Sequence, residues 1–232
     1  GDVYKRQILN LFVIEILFED NHLIIVNKKP GDLAQGDKTK DETLGDRVKD
    51  YLKKKYNKSG EAFLGITHRL DRPTSGVIIF TKTSKALSRM NEMFKKNEIN
   101  KTYWAIVKLI VNKSSVKLED YLTKNPKQNK SYVTNPLNKK AKKAILHYQS
   151  ILNLDNYSLL KIKLETGRHH QIRTQLSKAG MSIKGDLKYG FPRPNSNGSI
   201  HLHSRKTAFI HPVTKKEIII IAPPPIDKIW DM

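Results

Sequence analysis

Short β-branched apolar runs, each stopped by turn residues, constrain this chain more than any other feature. HLIIVNKKPG at 22–31 sets four apolar residues before a Pro-Gly turn, and GVIIFTK at 76–82 repeats the pattern. VIEILFED at 13–20 and AFLGIT at 62–67 read as further short strands, and KTYWAIVKLIV at 101–111 as a longer one. AILHYQSILNL and YSLLKIKLE, separated by Asp155-Asn156, predict an antiparallel hairpin. TAFIHPVTKKEIIIIAPPP predicts a second hairpin, turning at 212–215. Helical spacing occurs three times. Leu44, Val48, Tyr51 and Leu52 share one face behind Thr43 and Asp46 at capping-box spacing. Leu87, Met90 and Phe94 form a stripe with Ser84 as N-cap, and Ile172 and Leu176 turn inward ahead of Gly180 at C′. Many strands among few helices predict an α+β fold with a mixed, mostly antiparallel sheet. The spacing does not suit repeated βαβ units. The stretch 113–143, rich in Lys, Asn and Ser, reads as an exposed hairpin or insertion with little regular structure.

Composition narrows the class of function. The 232 residues include no cysteine, which removes disulfides, thiolate catalysis and Cys-based metal sites and fits a cytoplasmic protein. Lys and Arg number 43 against 22 Asp and Glu, a net charge of +21. A polyanion partner accounts for such an excess, because cations that neutralise phosphates gain affinity through counterion release. A Lys-rich solvated surface is the bland alternative. No apolar run approaches the ~20 residues of a membrane span, and ILNLFVIEILF at 8–18 is interrupted by Glu15. Residues 1–13 are set aside as an N-terminal extension, a tag, cloning scar or misread start being the open explanations. Residues 14–230 are expected to form one domain.

Chemistry is first a matter of exclusion. GxxxxGK[ST], a strand-borne GxGxxG and GxSxG are all absent. His201-x-His203 would share a strand face, but without cysteines or an acidic cluster nearby it reads as structural or RNA-contacting rather than metal-binding. HRLDRPTSG at 68–76 then stands out. Asp71 is set among His68, Arg69 and Arg72 on a loop between two strands, and the arginines favour its charged form. Pro73 and Gly76 fix the backbone path, and Thr74 and Ser75 can hydrogen-bond their own loop. On these grounds a structural salt bridge and a functional carboxylate stand level.

HRLDRPTSG resembles the signature loop, HRLDxxTSG, of the RluA-type RNA pseudouridine synthases. LIIVNKKPG at 23–31 is similar to that family's first motif and KTYWAIV at 101–107 to its KxYxAxV strand. ETGRHHQIRTQLSKAGMSIKGDLKYG at 165–190 and LHSRKTAFIHPVT at 202–214 resemble its later segments, so the likeness spans nearly all of 14–225. Gln175 stands where the family commonly has His and Ser204 where Ala is usual. The first motif carries an extra lysine at Lys28-Lys29, and all three departures are read as leaving the catalytic positions untouched. No S4-like RNA-binding segment is evident ahead of residue 14, which implies that the catalytic domain grips its own substrate.

The resemblance implies a pseudouridine synthase fold, with a curved sheet in two sub-lobes and the active-site cleft between them. It also implies an isomerase acting on uridine in rRNA or tRNA, monomeric and cofactor-free. Asp71 would be the nucleophile or base. Tyr103 would stack on the flipped uracil and serve as a candidate proton acceptor at C5, and Arg173 would pair with Asp71. His68, Arg69, Arg72, Thr74, Arg168, His170, Gln171, Lys184 and Asp186 would surround the substrate. Lys124, Lys127 and Lys130 are candidate phosphate contacts. A non-catalytic RNA-binding protein of the same fold is the alternative, and a histidine-based metal nuclease a weaker third.

Overall fold

The computed structural model describes residues 14–36, 41–111 and 114–230. The extension considered above at 1–13 lies outside them. In chain order the elements are β1 (Glu15–Glu19), β2 (Leu23–Lys28), α1 (Leu44–Lys55), β3 (Gly65–Ile66), β4 (Ser75–Thr81), α2 (Ser84–Lys95), β5 (Asn100–Val107), β6 (Val116–Asn125), β7 (Lys130–Val133), β8 (Lys142–Asn153), β9 (Ser158–Leu164), α3 (Gln171–Lys178), a 3₁₀ turn (Leu187–Tyr189), β10 (Leu202–Ile210) and β11 (Glu217–Ile221). The strands form one mixed sheet in the order β1-β2-β4-β10-β5-β9-β8-β6-β7, with β11 on β10 and β3 on β4. Every pairing is antiparallel except β4 with β10. The α+β expectation holds.

The unbroken apolar runs follow from burial on both faces. Leu23, Ile25, Val77 and Ile79 point to one side, against Ala86 and Met90 of α2. Ile24, Val26, Ile78 and Phe80 point to the other, against Leu44, Val48 and Leu52 of α1. A strand covered on both sides has no solvent face to alternate with. The third core lies under α3, whose Ile172 and Leu176 pack on Ala105, Leu146, Leu160 and Ile162 of β5, β8 and β9.

Local signals mostly land where the sequence puts them. Thr43 and Asp46 form the capping box of α1, and Gly180 takes φ +76 just past α3. Helix α2 starts one residue earlier than expected. Thr83, with extended backbone, accepts the Ala86 amide on its hydroxyl and is the N-cap in place of Ser84. The strand expected over 62–67 shrinks to Gly65–Ile66, because β4 ends opposite Gly65 and side chains take over the ladder after Ile66. Thr67 Oγ1 donates to the Ile79 carbonyl at 2.7 Å, and the Ile79 amide donates to His68 Nε2 at 3.0 Å. The stretch 113–143 is more regular than expected, with β6 and β7 extending the sheet beyond β8. No helix among the described residues is long and apolar enough to cross a membrane.

The parallel junction decides where the loop 68–76 goes. His203 lies beside Ser75 and Ser204 beside Gly76, so the loop feeding β4 is fixed against a strand from far along the chain. Gly76 has φ +112, and a Cβ there would lie 2.3 Å from the Ser204 carbonyl oxygen. Only glycine fits so close an approach.

Candidate active site

Asp71 sits between β3 and β4, at the wall of a cleft of about 620 Å³. Thr74 N–H bonds back to the Asp71 carbonyl at 3.0 Å, closing a turn around the side chain. The hydroxyls behave differently from expectation. Ser75 Oγ reaches across the junction to His203 Nδ1 at 2.9 Å, and the buried Thr74 hydroxyl has no protein partner among the described residues.

A buried amine supports the loop from beneath. Lys28, at the end of β2, is fully buried and donates Nζ to the carbonyls of Lys29 at 3.1 Å, Arg72 at 3.0 Å and Thr74 at 2.7 Å. Burial pushes its pKa down to about 7, with the Asp32 and Asp71 carboxylates opposing. Sequence reading treated the Lys28-Lys29 pair as remote from catalysis. Two of the three carbonyls that Lys28 binds belong to the loop carrying Asp71. Its burial follows from the pairing of β2 with β4, which brings the loop 68–76 over the end of β2.

Helix α3 delivers the partners of Asp71. Arg173 Nη1 donates to Asp71 Oδ2 at 3.0 Å, while its Nε and Nη2 donate to the two oxygens of Asp186 at 2.7 and 2.8 Å. Burial works against the guanidinium charge, but Asp186 and then Asp71 more than offset it and hold Arg173 above its ordinary pKa. His170 precedes the helix with φ 52, a left-handed conformation that a residue with a Cβ adopts at a cost. Its Nε2 lies 3.2 Å from Arg173 Nη1 and 3.4 Å from Asp71 Oδ2. Burial pushes the imidazole down to about 3, so it is neutral. An arginine can only donate, so Nε2 is the acceptor and Nδ1–H donates to Tyr189 Oη at 2.9 Å. Tyr189 accepts the Ser131 amide at 2.8 Å and lies beneath Arg173, 4.9 Å from the guanidinium carbon to the ring centre. The contact between His170 and Asp71 is thus not an ion pair.

Tyr103, on β5, is buried and faces the same cleft. Burial raises its phenol to about 12, opposed by the Ser204 hydroxyl, so it stays protonated at neutral pH.

The structure brings together Asp71, Tyr103, Arg173, His68, Arg69, Thr74, Arg168, His170 and Gln171 around this cleft. Asp186 stands behind Arg173 and not on the cleft wall. Lys184 is away from the wall too, bonded to Asn195 Oδ1 at 2.8 Å. Arg72 turns aside, its Nε on the Gly31 carbonyl at 3.1 Å and Nη1 on Asp41 at 3.3 Å. Arg69 is exposed and lines both this cleft and a second one of about 440 Å³. Lys124 lines the second cleft as well, with Lys188 and His169. Lys127 and Lys130 lie on the walls of neither. Gln171 holds the turn before α3, accepting Arg168 N–H at 2.9 Å, and Arg168 Nε donates to the Lys143 carbonyl. Gln175 is buried and donates to Asp120 at 2.9 Å. His203 spans Ser75 and the Ala222 carbonyl, and His201 meets Asn195 and Asp227.

The mixed sheet thus presents one carboxylate, held by a buried arginine, beside a buried aromatic ring. The profile of the RNA pseudouridylate synthase family matches residues 22–178. The chain belongs to that family, whose members are isomerases that convert uridine to pseudouridine. It is 33% identical over 226 residues to the ribosomal large subunit pseudouridine synthase D of Zymomonas mobilis subsp. mobilis, covering 92% of this chain and 70% of that protein. It is 29% identical over 240 residues to the tRNA pseudouridine synthase C of Vibrio vulnificus, covering 94% and 93% respectively. The fold matches the solved structure of human RNA pseudouridylate synthase domain containing 4 at 22% identity. The TM-score is 0.76, over 100% of this chain and 94% of that one.

Proposed function

We propose that this protein isomerises uridine in a structured RNA, rRNA or tRNA, to pseudouridine in the cytoplasm, with Asp71 as the essential carboxylate. The single observation that carries the reading is the placement of Asp71 on Arg173 at 3.0 Å, at the wall of a cleft that also exposes Tyr103. In the reaction the N1–C1′ bond breaks, the uracil turns and a C5–C1′ bond forms. C5 gives up its proton and N1 gains one. Atoms and electrons balance without a redox partner, and a carboxylate positioned at the sugar or base suffices to start the exchange.

Arg173 keeps the carboxylate aimed while Asp186 fixes Arg173, so the nucleophile is pre-organised before RNA arrives. Tyr103 provides the platform for the flipped uracil. A phenol raised to about 12 keeps its proton at neutral pH, which favours the stacking role over proton removal at C5. Arg69, exposed between the two clefts, is suited to a phosphate or to the space the uridine leaves.

Incubation with total RNA followed by mapping of new pseudouridines tests the reading, with Asp71→Asn as the control. The wild type creates pseudouridine at discrete sites, and the variant binds the same RNA without modifying it. Turnover by Asp71→Asn would remove the assignment, and binding with no modification by the wild type would leave a non-catalytic RNA-binding protein.

A further inference from the structure

The cleft that holds Asp71 is electrostatically one-sided. Among the described residues on its wall Asp71 is the only carboxylate, against Arg69, Lys95, Lys101, Arg168 and Arg173. Four of these are accounted for by exposure or by a bond. Arg173 is paired, Arg168 is tied to the Lys143 carbonyl, and Arg69 and Lys95 are exposed to water. Lys101 is different. It is half-buried at the start of β5 and makes no hydrogen bond or ion pair among the described residues. Its Nζ faces the Phe94 ring at 5.5 Å from the centre. Burial lowers its pKa, with no carboxylate nearby to oppose it. An amine held this way carries a desolvation cost that the Phe94 ring offsets only in part and no anion offsets.

Strand geometry relates this amine to the site. Lys101 and Tyr103 are two residues apart on β5, so their side chains leave the same face, roughly 6.6 Å apart along the strand. Both line the cleft. One nucleotide bridges such a spacing, with its base on the ring and its phosphate on the amine. The turn before α3 runs past the same amine, since a Cβ at Gly167 would meet Lys101 Nζ at 3.4 Å.

We propose that Lys101 anchors a backbone phosphate adjacent to the flipped uridine, so that the same strand face grips both ends of the target nucleotide. The inference rests on the RNA-modifying reading above and adds a named contact to it. The amine is desolvated in advance and gains its only acceptor when RNA enters.

The test uses the full chain and a synthetic fragment of the RNA found modified in the mapping experiment. Lys101→Met and Lys101→Arg are compared with wild type for binding across a salt series. Lys101→Met is expected to bind more weakly and to lower the log–log salt slope by about one unit, while Lys101→Arg retains the slope. Its melting temperature stays level or rises, because the cation has no protein acceptor to lose. A neutral methylphosphonate at the phosphate 5′ or 3′ of the target uridine weakens wild-type binding and adds no further loss to Lys101→Met. An unchanged salt slope, or linkages and variant that add independently, would overturn the phosphate anchor while leaving pseudouridine formation standing. A wild type that forms no pseudouridine would overturn both. A Lys101→Met protein that melts lower would assign the lysine to structure instead.

Discussion

Asp186 chelates Arg173 through Nε and Nη2, which leaves Nη1 as the edge turned to Asp71. Asp186 is thus a positioning residue that acts on the carboxylate through an intervening guanidinium. Asp186→Ala strands a buried cation and is expected to cost about 3–5 kcal/mol of stability, read by urea denaturation. Asp186→Asn keeps the shape and loses the charge. It should lower single-turnover pseudouridine formation by roughly tenfold or more, with RNA affinity unchanged. Full turnover by the asparagine variant would show that the aim of Arg173 does not matter.

Lys28→Met removes the Nζ donor from the buried Thr74 carbonyl, while the Arg72 carbonyl keeps the Gly31 amide at 2.8 Å and the Lys29 carbonyl keeps the Asp32 amide at 3.4 Å. A buried acceptor so exposed costs about 1–3 kcal/mol where no water reaches it. The expected outcome is a lower melting temperature and a slower chemical step, since two of the three carbonyls hold the loop of Asp71. A variant as stable and as fast as wild type would mean the amine is dispensable.

Gly76→Ala introduces a methyl group 2.3 Å from the Ser204 carbonyl oxygen at φ +112. The junction of β4 and β10 cannot accept it without moving backbone. A loss of more than about 3 kcal/mol, or failure to fold, is expected in thermal denaturation. Normal melting would show that the two strands part easily.

Stability should climb with pH through two separate windows. His170 and His203 are buried and held at about 3 and about 4, below the ordinary 6.5. The unfolded chain therefore binds more protons than the folded one as pH falls below about 6.5, and stability drops by up to about 1.4 kcal/mol per unit per histidine. Lys28 acts higher. With a folded value of about 7 against 10.5 unfolded, its penalty is complete below 7 and is relieved as pH rises toward 10.5. Urea midpoints across pH should rise through both windows, and the upper rise should be reduced in Lys28→Met to what the buried Lys101 contributes. A midpoint flat from pH 4 to 10 would contradict both burials.

The parts of this architecture written in local sequence were legible and the parts written by long-range contact were not. Thr43 and Asp46 announce a helix start, and 144–154 with 157–165 announce a hairpin, because caps and turns are settled by neighbours. The expected strand at 62–67 shortens to two residues because β4 ends opposite Gly65 and Thr67 and His68 bond to Ile79 through side chains, which only the placement of β4 reveals. The regularity of β6 and β7 was hidden by lysines and asparagines that face solvent. At the site, HRLDRPTSG marks Asp71 by resemblance, whereas Lys28 stands out only as a departure from the first motif and Tyr189 carries no signal of its own. Lys28 reads as a surface charge until β4 is placed beside β2. Tyr189 matters only because His170 and Arg173 rest against it.

The seam between β4 and β10 also sets a timetable for synthesis. Ser75 and Gly76 leave the ribosome well over a hundred residues before His203 and Ser204, the neighbours that hold them. A nascent chain that has completed α3 already carries Asp71, Tyr103 and Arg173, yet it lacks the central strand that seats the loop 68–76. Contacts this distant in sequence form late. Modifying activity is therefore expected only once the last strands dock, so a truncated chain that ends after α3 should carry all three site residues and form no pseudouridine.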